Sequence, residues 1–138
     1  MNEQVTYQGA VYPWHCDHMG HMNVMWYVGK FDEATWQLFA RLGITPKFMS
    51  DQQRAMVAVE QHIEYKRELM AGDIVTVRST VVEIRDKVLR FSHVMTNSAT
   101  GEVAATTMLT AVFLDAVARK AASFPAEIRE RAAAMIVP

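Results

Sequence analysis

The sequence predicts an α+β fold in which one antiparallel sheet curls around one long helix, and two periodicities predict it. After Asn23, apolar residues recur at helical spacing for about 19 positions. From Met56 onward the period drops to two, and polar breaks divide the rest into β-branched runs.

The stretch VTYQGAVYPW (5–14) reads as a first strand. Asn23 is then a good N-cap, followed by Tyr27, Phe31, Ala34, Leu38 and Leu42 on one face, flanked by Val28, Thr35 and Phe39. Lys30, Glu33, Gln37 and Arg41 supply the polar side. Gly43 stands where a left-handed cap ends a helix, and Pro46 is expected to prevent resumption. At 1.5 Å per residue this helix is roughly 28 Å long, and its wide apolar arc predicts enclosure. Val57, Val59, Gln61, Ile63 and Tyr65 alternate with polar neighbours in the next strand. A turn at Ala71–Asp73 leads to a strand over 73–84, the break RDK to one over 88–97, and NSATG to one over 102–115. A short helix starting near Pro125 carries Ile128, Ala132 and Met135. Strands joined by tight connections are antiparallel, and the edge they leave exposed is a natural place for a second copy to pair.

The 138 residues, 51% of them apolar, suffice for one sizeable core, so the expectation is a single domain over 1–138. A net charge of −1 gives no electrostatic footprint for nucleic acid or an anionic membrane, leaving small molecules or other protein chains as partners. One cysteine forms no internal disulfide, the N-terminus lacks the pattern of a secretory leader, and no apolar run reaches the roughly 18 residues of a membrane helix. The reading is a soluble, cytoplasmic protein.

The nonapeptide HCDHMGHMN (15–23) gathers three of the five histidines, the one cysteine and an aspartate. His15, His18 and His21 are acceptable zinc ligands, but no second ligand pair stands at a recognised spacing. Cys16 as a nucleophile needs an oriented base, and Asp17 beside it disfavours the thiolate. Asp17 itself, with Gly20 bending the loop and the free N–H groups after Asn23, could converge with those donors on one reacting carbonyl. Equally, Asp17 could serve only to close an Asx turn.

The stretch DHMGHMNVMWYVGKFDEATW resembles the D-x-x-G-H-x-N-x-x-x-Y-x-x-x-F-[DE]-x-A signature of hotdog-fold thioesterases, the 4-hydroxybenzoyl-CoA thioesterase-like superfamily. Asp17, Gly20, His21, Asn23, Tyr27, Phe31, Asp32 and Ala34 match it, and IEYKRELMAGD and FPAEI resemble two later family motifs. The resemblance implies a hotdog fold and hydrolysis of an acyl-CoA without metal or cofactor. It implies Asp17 as general base or nucleophile and the Val24 backbone N–H as oxyanion donor, with Gly20, His21 and Asn23 shaping the loop. It further implies a homodimer or homotetramer with sites at the subunit interface. A second branch of such enzymes carries its carboxylate on the long helix, where this chain has Asp32 and Glu33. These lie about 14 Å beyond Asn23, so Asp17 is preferred. Trp26 and Tyr27, with Trp14, Met22 and Met25 nearby, are candidate acyl contacts, and Arg85, Lys87 and Arg90 are candidates for the CoA phosphates. An acyl-carrier-protein thioesterase and a non-catalytic acyl-CoA-binding protein are the competing readings.

Overall fold

The computed structural model describes residues 4–136, and its elements run β1 (Gln4–Ala10), a 3-10 turn (Pro13–His15), α1 (Val24–Leu42), α2 (Pro46–Gln52), β2 (Arg54–Tyr65), β3 (Ile74–Ile84), β4 (Val88–Asn97), β5 (Val103–Asp115), β6 (Lys120–Ala121) and α3 (Ala126–Ala134). Both ends of α1 are held by the capping chemistry its sequence carries. Asn23 Oδ1 accepts the Met25 N–H at 3.0 Å. Gly43 closes the helix at φ 90°, a left-handed conformation that favours glycine.

All strand pairs are antiparallel, in the order β1-β3-β4-β5-β2, and β6 extends the end of β5. The sheet curls over α1, the α+β hotdog arrangement. Tyr27, Phe31 and Ala34 pack with Val75, Val77 and Met95 under the first half of the helix. Leu38, Phe39 and Leu42 pack with Phe91, Leu109 and Phe113 under the second half, where Ile128 and Ala132 of α3 close the core.

Four details depart from the sequence reading. β1 stops at Ala10, and the chain turns through the 3-10 segment at Pro13, whose nitrogen has no hydrogen to donate to a ladder. Pro46 does not prevent a helix but begins one: Thr45 caps α2 by accepting the Phe48 N–H at 3.1 Å, and proline suits the first helical position. Lys30 is not on the solvent side. It is 2% exposed, its stem crossing from α1 to β1 so that Nζ donates to Tyr7 Oη at 3.1 Å and to the Ala10 carbonyl at 3.3 Å. Finally, β2 and β3 are not neighbours, because residues 66–73 carry the chain across the sheet from one side to the other.

Candidate active site

The loop before α1 is a miniature hairpin. Cys16 and Met22 form a bridge, Asp17 N–H donates to the His21 carbonyl at 2.9 Å, and Gly20 N–H donates back to the Asp17 carbonyl at 3.0 Å. Gly20, at φ 83°, takes the left-handed position such a loop requires. The loop is also tied down from outside. Asn23 N–H donates to the His15 carbonyl at 2.8 Å, Met22 N–H to the Leu69 carbonyl at 2.7 Å, and His21 Nε2 lies 3.0 Å from Glu68 Oε2.

Within this frame Asp17 Oδ1 accepts the Met19 N–H at 2.9 Å, the Asx turn, while no described residue hydrogen-bonds to Oδ2. A concavity of about 390 Å³ brings Asp17, His21 and Val24 together with Tyr27 and residues 65–68. Val24 opens α1, and its N–H donates to none of the described residues. Asp17 and the first residue of the helix, whose N–H has no partner among the described residues, therefore line one cavity at the positive end of α1. Tyr27 forms part of its floor, donating from Oη to the Arg67 carbonyl at 3.0 Å. Burial, reinforced by the Glu68 charge, pushes its phenol up to about 12, so it stays a neutral donor.

The wall made by Tyr65, Lys66, Arg67 and Glu68 is absent from the sequence-derived candidates. Lys66 Nζ pairs with Glu64 at 3.1 Å and Arg67 Nε with Glu102 at 3.2 Å, so the rim carries cations already held by exposed acids. The charged run KRE between a strand and a turn was the available signal; that it faces Asp17 follows only from the crossing of residues 66–73.

Met22 also lines the concavity, and the remaining candidates lie apart. Trp26 packs its ring 4.4 Å from that of His15 and does not line the concavity. His15 is buried, its Nδ1 accepting the Tyr12 N–H at 3.0 Å; burial and the nearby Lys30 charge lower its pKa, so it is a neutral structural ring. His18 is exposed, and among the described residues no three His, Cys, Asp or Glu side chains are arranged to hold a metal. Cys16 Sγ is 3.7 Å from the Tyr12 carbonyl. Arg85 Nε pairs with Glu83 at 2.7 Å, Arg90 reaches the same Glu83 at 3.6 Å, and Lys87 is exposed in the turn between β3 and β4. That turn is at the far end of β3 from the Asp17 loop, roughly 30 Å away at strand rise.

The profile of the thioesterase-like superfamily matches residues 11–132. The chain belongs to that superfamily. Membership makes this thioesterase-like protein an enzyme of thioester hydrolysis. Relatives it is similar to include the long-chain acyl-CoA thioesterase FadM of Escherichia coli, 27% identical over 136 residues and covering 99% of each chain. Another is the betainyl-CoA thioesterase of Pseudomonas aeruginosa, 27% identical over 132 residues, 94% of this chain and 82% of that one. A Staphylococcus aureus protein solved in complex with CoA superposes with a TM-score of 0.90 at 22% identity, over 98% of this chain and 85% of the other, and so shares the fold.

Proposed function

We propose that this protein hydrolyses a small-molecule acyl-CoA to the free acid and CoA at the Asp17 concavity. The observation that carries the reading is that Asp17 and Val24, whose N–H donates to none of the described residues, line one cavity. In this reading the thioester oxygen sits on the Val24 N–H, where the helix end stabilises the charge that develops as the carbonyl carbon becomes tetrahedral. Asp17 either takes a proton from the attacking water or attacks the carbon itself to form an anhydride that water then opens. The thiolate leaves without help from a metal. Gly20 and Asn23 fix the loop geometry, and His21, paired with Glu68, orients the second wall. The two named relatives act on different acyl groups, so family membership leaves the acyl group open.

The functional unit in this proposal is a homodimer, or a pair of them, formed through β2. That strand is a long sheet edge with exposed Val57 and Val59, and it lies beside the exposed Val28 and Trp36 of α1.

Thiol release measured across an acyl-CoA panel tests the proposal, with Asp17→Asn as the diagnostic variant. Its kcat is expected to fall by about 10² to 10⁴ with little change in KM, because the amide keeps the turn's acceptor and loses the base. An unimpaired variant would sink the mechanism. Acyl-CoA binding without turnover by the wild-type chain would favour the binding-protein reading.

A further inference from the structure

We propose that Asp32 makes this site selective for acyl groups that carry a positive charge, such as a quaternary ammonium; the inference rests on the thioesterase reading above. A second cavity, of about 280 Å³, lies between α1 and β2, and it is lined by Val28 one helical turn beyond Val24. Both α1 and β2 contribute residues to the two cavities, Val24 and Tyr65 to the first, Val28 and Gln61 to the second. In this proposal the acyl chain, its carbonyl on the Val24 N–H and its CoA leaving past residues 65–68, runs along α1 into this second cavity.

Its walls are mainly apolar, with Phe31, Trp36, Phe39 and Phe91 among aliphatic residues such as Val28 and Leu109, and Asp32 is the one ionisable side chain among the described residues that line it. Its carboxylate forms neither a hydrogen bond nor an ion pair with any described residue. The negative faces of aromatic rings do not stabilise a carboxylate, whereas rings and carboxylate together attract a cation placed between them. Position sets the size of the group. Val24 and Asp32 are eight residues apart, about 12 Å along the helix, and helical side chains lean back toward the N-terminus. Allowing about 4 Å for the ion contact, the charge belongs roughly four to six atoms from the thioester carbonyl. A volume near the lower end for small-molecule sites agrees with a compact acyl group.

The test uses the full chain and two thioesters that differ only in charge, 4-(trimethylammonio)butanoyl-CoA and its carbon isostere 5,5-dimethylhexanoyl-CoA. The cationic substrate is expected to show a kcat/KM at least about tenfold higher at low salt, with the ratio shrinking as ionic strength rises. Asp32→Asn should bring the ratio near one, and Glu33→Gln, the same charge loss on the neighbouring residue, should leave it in place. Asp32 is exposed and has no partner among the described residues, so the variant is expected to fold. A wild-type ratio of one or less, a ratio that survives Asp32→Asn, or an equal response to Glu33→Gln would each overturn the assignment. Calorimetric binding of the corresponding non-hydrolysable CoA thioethers separates the two levels. Asp32-dependent preference in binding without any hydrolysis defeats the thioesterase reading and keeps the cation site. Hydrolysis of both esters without preference defeats the cation site alone.

Discussion

At Asp17 the two carboxylate oxygens differ, one closing the Asx turn on Met19 and the other without a hydrogen-bond partner among the described residues. The structural and catalytic readings of that residue therefore coexist, which is why residue types and spacing alone did not choose between them. His93 shows the opposite case, a histidine whose whole surroundings are structural. It is fully buried between Phe31 and Phe91, with Nε2 at 2.8 Å from Thr35 Oγ1 and Nδ1 at 2.6 Å from Ser79 Oγ, which in turn is 2.6 Å from Thr6 Oγ1. Burial lowers its pKa from 6.5 to about 4. Between those values the unfolded chain binds more protons than the folded one, so stability falls as pH drops from 6.5 toward 4. The loss from this one ring is about 3 kcal/mol, and His15, also lowered, acts in the same direction. Urea unfolding at a series of pH values should show His93→Gln with a shallower acid slope and about 1 to 3 kcal/mol less stability at neutral pH. An unchanged slope would assign the acid sensitivity to other groups.

At the scale of elements, α1 was the most legible part of the molecule, because Asn23, Gly43 and the intervening apolar spacing all specify the same helix. Strands β3 to β5 were legible for a similar reason: their turns contain the residues that hairpins require. The placement of β2 was not, since a short connection looks the same in sequence whether it joins neighbours or crosses a sheet. That one ambiguity concealed residues 65–68 as the second wall of the site. Lys30 was misplaced because periodicity records where a side chain starts and not where a long one ends. Leu38 illustrates what the well-read helix contributes. It is fully buried in the second half of α1 against the core there, so Leu38→Ala should cost about 2 to 5 kcal/mol in denaturant unfolding through lost contacts and the residual cavity. A cost below 1 kcal/mol would mean that the sheet closes over the gap.

At the scale of the whole molecule, the distance between the Asp17 loop and the turn holding Arg85 and Lys87 becomes informative once a second copy is considered. Arg90 is level with Thr110 of β5, and Thr110 is level with Glu60 of β2, so the turn lies level with the Arg54 end of β2 while Tyr65 of the other end lines the concavity. Two β2 strands pairing antiparallel about a two-fold axis near Val59 would set the partner's turn level with Tyr65. CoA phosphates leaving the cavity would then meet the partner's Arg85 and Arg90 rather than those of the same chain. Sedimentation at micromolar concentration should show dimers or tetramers, and Val59→Lys, which introduces like charges at the pairing edge, should shift them toward monomers and reduce activity. The double variant Arg85→Ala, Arg90→Ala should raise KM for an acyl-CoA far more than for the matching acyl-N-acetylcysteamine, which lacks the phosphates. Mixing then decides between the two geometries. When unfolded and co-refolded in equal amounts, the inactive Asp17→Asn chain and the arginine-less chain form heterodimers. In each, one site joins an intact Asp17 to intact arginines across the interface, so about a quarter of all sites should regain the wild-type KM and kcat. If the arginines serve the site of their own chain, no site in the mixture holds both, and nothing is regained.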